Sequence, residues 1–141
     1  MLVLRHARTM PHQRNRELLS QVVDEVVGTT AQVQWETPGP SWSAHVRLRG
    51  AAGRVSHVLT SPEWQEARFE EPRCSAFILT STDENDVHDA LEKLTRAAAE
   101  YLAGGGLVEE RRGLFGVQRV LVLETVDGEW RIGERSARHP G

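Results

Sequence analysis

The chain has 141 residues, 39% of them hydrophobic and 26% charged, and carries a net charge of −3. That length favours one domain with one core, that balance excludes a disordered chain, and that charge gives no general pull toward nucleic acid or an anionic membrane. The single cysteine, Cys74, excludes an internal disulfide framework, and no stretch approaches the roughly 20 apolar residues of a membrane span.

The first eight residues, Met1 to Arg8, contain an apolar run too short for a secretory h-region, so the expected location is the cytoplasm. One domain over residues 1–141 is expected, with 1–10 and 135–141 as ragged ends. The first firm element is a helix ending at Val27. Leu18, Leu19, Val22, Val23, Val26 and Val27 recur at three- and four-residue spacing, and Gly28 follows where a left-handed stop residue belongs. The period then changes to two. Ala31, Val33 and Trp35 alternate with polar residues, as do Trp42, Ala44, Val46 and Leu48. Gly50 to Gly53 is read as a four-residue turn onto Val55, His57 and Leu59. That register sets Arg49 opposite Arg54, sets Val46 opposite His57, and turns His57 inward.

Ser61-Pro62-Glu63 reads as a helix start, which predicts a short helix over 62–70. Cys74 to Thr80 is apolar on both sides and predicts a central strand. A long helix follows, capped at Thr82 or Asp83. Its stripe runs through Val87, Ala90, Leu91, Leu94, Ala97, Ala98, Tyr101 and Leu102, and Gly104-Gly105-Gly106 ends it. Three strands finish the chain: 107–111, 117–126 and 129–134. Asp127-Gly128 is read as the hairpin turn, setting Glu124 opposite Arg131 and Leu123 opposite Ile132. The expected fold is α+β: a mostly antiparallel sheet of six to seven strands with two main helices packed on one face. The element order resembles small secretion-chaperone-like folds.

Candidate chemistry is sparse. Leu2-Val3-Leu4-Arg5-His6-Ala7 resembles the opening of the histidine phosphatase superfamily, and Leu59-Thr60-Ser61-Pro62 with Arg68 resembles a second segment of it. The resemblance implies His6 as phosphorylated nucleophile, with Arg5 and Arg68 gripping phosphate. It covers about six residues. The only late histidine, His139, lies in the tail, and residues 30–60 read as hairpins where that fold needs crossover helices. His88 is read as a solvated partner of Glu84, and Cys74 as a buried thiol. No zinc spacing appears, and 83–94 lacks the glycine and glutamate of a calcium loop, so neither metal nor cofactor is expected. Sixteen arginines against the single Lys93 resemble the coding bias of a GC-rich bacterial genome.

Two surfaces remain. His45, Arg47, Arg49 and Arg54 are expected to share one wet hairpin face able to bind an anion. No aromatic is interleaved there, which argues against single-stranded nucleic acid. Second, Phe77, Val120 and Val122 lie on doubly apolar strands that two helices cannot cover from both sides, so they are expected to form an exposed partner-binding patch. The function this favours is a non-enzymatic protein-binding or regulatory module, as an immunity protein, antitoxin, chaperone or adaptor is. Its partner would be another protein or a second copy. The alternative is a small phosphate-handling hydrolase centred on Arg5 and His6.

Overall fold

The computed structural model describes residues 11–134. Helix α1 (Pro11–Val26) buries Leu18, Leu19, Val22 and Val23 as the spacing predicts. Gly28 ends it at φ 54°, its N–H donating to the Val23 carbonyl at 3.1 Å. Five antiparallel strands follow and pair in chain order: β1 (Ala31–Glu36), β2 (Ala44–Gly50), β3 (Val55–Thr60), β4 (Trp64–Phe69) and β5 (Cys74–Leu79). Helix α2 (Glu84–Leu102) leads to a second antiparallel sheet of β6 (Leu107–Gly113), β7 (Gly116–Thr125) and β8 (Gly128–Gly133). The fold is therefore α+β, with eight strands in two sheets among the described residues.

The segment expected as a short helix is strand β4. Ser61-Pro62-Glu63-Trp64 closes as a tight turn instead: the Ser61 N–H and hydroxyl both donate to the Trp64 carbonyl, at 3.0 and 2.8 Å. Proline presets the first central residue of such a turn as readily as the first turn of a helix. The residues after it alternate. Gln65, Ala67 and Phe69 point into the core, and Trp64, Glu66 and Arg68 point away.

The β2–β3 register is one residue from the expected one. Arg49 pairs with Val55, Arg47 with His57 and Val46 with Val58. The cause is the loop. Gly53 adopts φ 93° and its N–H bonds the Gly50 carbonyl at 3.0 Å, giving a three-residue connection. A slip of one residue exchanges the faces of a strand. Ser56, Val58 and Thr60 therefore face inward, and Val55, His57 and Leu59 face outward.

Both helices pack on the inward face. One core joins Val46, Leu48, Val58, Ala67, Phe69 and Ala76 of the first sheet to Leu91, Leu94 and Ala98 of α2 and to Leu121, Leu123 and Ile132 of the second. Asp83 caps α2, accepting from Asn85 N–H at 2.8 Å. The far end of α2 lies on β2 so closely that a β-carbon at Gly50 would sit 2.4 Å from the Leu102 carbonyl oxygen.

In the second sheet β7 is buried on both sides over Val120–Leu123. Leu121 and Leu123 face the core. On the other face, Val120 pairs with Glu109 of β6 and Val122 with Arg131 of β8. Arg131 and Glu109 form an ion pair across the strand between them. The β7–β8 hairpin turns at Val126-Asp127, one position earlier than expected, so Leu123 meets Trp130 and Glu124 meets Glu129. This slip of two preserves which residues face the core. Arg131, 3.6 Å from Glu129, offsets the like-charge pair.

Candidate functional site

The second face of the five-stranded sheet carries no helix among the described residues. The register assembles it in rows. Gln34, Arg47, His57, Arg68 and Ser75 form one row, and Glu36, His45, Leu59, Glu66 and Phe77 form the next. Trp64 and Leu79 pair beyond them, so both share this face.

Its apolar half lies over β4 and β5. Trp64 and Phe77 stack nearly parallel, with centroids 4.4 Å apart at 13°. Phe77 is 51% exposed, Leu79 64% and Trp64 38%. The indole N–H of Trp64 donates to Glu66 Oε1 at 2.9 Å, and Arg68 Nε donates to Glu66 Oε2 at 2.6 Å. This satisfies a carboxylate that is itself buried. Arg68 also lies over the Trp42 ring, 5.7 Å from its centroid. β5 is an edge strand of its hydrogen-bonded sheet, contrary to the central place expected for it. It is apolar on both sides because Phe77 and Leu79 stand on the open face.

The polar half lies over β2 and β3. His45 Nε2 is 2.8 Å from His57 Nδ1, and His57 Nε2 is 2.9 Å from Glu70 Oε2. In the tautomer whose Nε2–H donates to the Glu70 carboxylate, His57 Nδ1 is left to accept from His45 Nε2–H. Burial first, then His57 and then Arg68, hold the His45 pKa below its ordinary value. His57, Arg68, Arg73 and Ser75 line a cleft of about 390 Å³ beside this chain, together with Phe69, Glu70 and Cys74. The Cys74 thiol is pushed up to about 12 by burial first and by Glu134 second, which leaves it un-ionised.

The predicted site residues divide. Phe77 is exposed on the open face, where Arg47, Arg49 and His45 also lie. Val120 and Val122 are only 5% and 7% exposed within the single chain, so neither offers a surface. The correction comes from the flanking strands, whose Glu109 and Arg131 close over β7. Arg54 also leaves the anion set. Its guanidinium donates to the carbonyls of Tyr101 and Gly105, at 2.9 and 3.0 Å, and stacks on the Tyr101 ring, so it satisfies the C-terminal end of α2. Arg68 is held by Glu66. Arg5, His6 and His139 lie outside the described residues.

Sequence reasoning missed Trp42 and Trp64 as surface residues, because the first was placed in a strand and the second in a helix. It also missed Leu114 and Phe115. Both are 96% exposed at the β6–β7 turn, where turn chemistry favours glycine, asparagine or aspartate. Among the described residues no helix is long and apolar enough to cross a membrane. No family model, curated protein or solved structure matches the chain.

Proposed function

We propose that this protein is a non-enzymatic protein-binding module that seats a partner chain on the open face of its five-stranded sheet. The observation that carries the reading is the exposed Trp64–Phe77 stack with Leu79 beside it, on a sheet face that no helix among the described residues covers. Three large apolar side chains clustered with an arginine fit the composition of protein–protein hot spots, where aromatic and arginine anchors dominate. Full burial of each such apolar side chain contributes about 1.5–3 kcal/mol. Arg47 and Arg49 lie on the same face without an ion-pair partner among the described residues, so they favour a partner with acidic residues flanking its apolar contact. This is the binding chemistry of an adaptor, chaperone, antitoxin or immunity protein.

Two measurements test the reading. Sedimentation equilibrium over a wide concentration range asks whether the partner is a second copy, and Phe77→Asp should abolish any dimer. Selection from a displayed peptide library asks whether it is another chain. Enriched peptides should bind the wild type and fail on Phe77→Asp, whose circular dichroism should be unchanged. A protein that stays monomeric and enriches no Phe77-dependent peptide would end the proposal.

A further inference from the structure

Away from the open sheet face, helix packing assembles a group of different chemistry. His88 and Glu92 are four residues apart on α2 and so project from one side of it. Glu25, in the last turn of α1, meets them where the two helices touch. One ligand atom from each of the three lies within 4.8 Å of the other two. His88, which the sequence pairs with Glu84, thus faces two other carboxylates.

The three groups surround a gap and do not bond to one another. Among the described residues His88 forms no hydrogen bond or ion pair with either glutamate. The nearest cation to Glu92 is Arg96 at 3.8 Å, and Arg96 is engaged by Asp127 through two hydrogen bonds of 2.8 and 3.0 Å. Lys93 is taken by Asp89. Two carboxylates are therefore brought together beside an imidazole, and the one cation near them among the described residues, Arg96, is held mainly by Asp127. Ligand atoms around a tetrahedral divalent ion, bonded at about 2.0–2.1 Å, stand roughly 3.4 Å apart. Contracting the gap to that spacing needs only side-chain rotation of two glutamates and a histidine that are not fully buried.

We propose that Glu25, His88 and Glu92 form a binding site for a divalent transition-metal ion of the zinc type. The donor set selects the class. One imidazole favours zinc and its neighbours over calcium and magnesium, and the absence of thiolate in the set disfavours copper(I). Three protein ligands leave a fourth position for water. Because the ligands come from both helices, the ion would hold the end of α1 against α2. Imidazole and carboxylate bind a metal ion only in their deprotonated forms, so affinity weakens in acid.

The test uses the full chain, stripped with EDTA and titrated with zinc against a chromophoric chelator. One equivalent should bind and raise the melting temperature. His88→Ala should weaken binding at least tenfold, while the stripped variant should melt where the stripped wild type does. Glu25→Gln, isosteric and at an exposed position, should also weaken it if the site spans the helices. X-ray absorption of the zinc-loaded protein should report nitrogen and oxygen ligands without sulfur. No stoichiometric zinc binding, or zinc binding unaffected by both substitutions, would overturn the proposal.

Discussion

His45 sits at the free end of the His45–His57–Glu70 chain, and its environment opposes its charge. Burial, then His57, then Arg68 lower its pKa from 6.5, while Glu36 pulls the other way. In the unfolded chain the ring takes up a proton near 6.5, so just below that value the unfolded state binds more protons than the folded one. The contribution is therefore fully present above the unfolded pKa and is lost as pH falls through the lowered folded value. Urea midpoints should decline as pH falls from about 7 through the acidic range, and His45→Gln should flatten that decline. A wild-type midpoint constant across this range would contradict the assignment. A second residue-scale expectation concerns Arg54, which supplies two donors to carbonyls at the end of α2. Hydrogen bonds from a charged group are worth about 1.5–3 kcal/mol, so Arg54→Ala should cost about 2 kcal/mol, read as a lower urea midpoint at unchanged slope. Arg54→Lys should restore only part, since lysine can donate to the two carbonyls but lacks the guanidinium that lies over the Tyr101 ring. A loss below about 0.5 kcal/mol would make the contact incidental.

Elements with a long apolar period were legible from residues alone, because burial of one stripe dictates them. The α2 stripe from Val87 to Leu102 is buried as the spacing predicts, and Asp83 caps it. What escaped was set by local turn geometry, where one residue decides much. Gly53 in a left-handed conformation shortened the β2–β3 loop and moved His57 from the core to the open face. Ser61-Pro62-Glu63 fits a helix start and a turn alike, and only packing of Ala67 and Phe69 against the core selects the strand. The glutamate–arginine pair roofing Val120 and Val122 depends on a register that hydrophobic pattern does not fix. Contacts between elements, such as Glu25 with His88, leave no spacing in sequence to find. The β6–β7 arm gives the prediction that belongs to this scale. Leu114 and Phe115 make almost no contact with the rest of the chain, so replacing both with serine should change stability by less than about 0.5 kcal/mol. The same replacement should reduce binding of a hydrophobic dye in the native state, because it removes two of the most exposed apolar side chains. A clear drop in melting temperature would show that the arm folds back onto the body of the protein.

Across the molecule, two sheets raise the question of whether they unfold together. Few hydrogen bonds join them: β5 and β8 are neighbours without forming a ladder, and Arg119 reaches both Glu134 beside β8 and Glu71 in the β4–β5 turn. The stronger link is α2. One hydrophobic cluster runs from Val46 and Phe69 through Leu91, Leu94 and Ala98 to Leu121, Leu123 and Ile132, so neither sheet has a core without the helix. Arg96 adds a two-pronged ion pair to Asp127 in the β7–β8 turn, which lowers the pKa of that carboxyl and so favours the folded state above the carboxylate range. A shared core of this kind predicts one cooperative transition, as most single domains of this size show. Trp35 packs against the core from the first sheet and Trp130 from the second, so each reports its own sheet. Single-tryptophan variants keeping one or the other should give the same urea midpoint. Leu94→Ala, which empties fully buried space between the sheets, should cost about 2–5 kcal/mol and move both midpoints by the same amount. If the Trp130 signal melts first while the Trp35 signal holds, the second sheet is a separate unit resting on the first. In that case the face formed by Trp64, Phe77 and Leu79 belongs to a platform that stands without it.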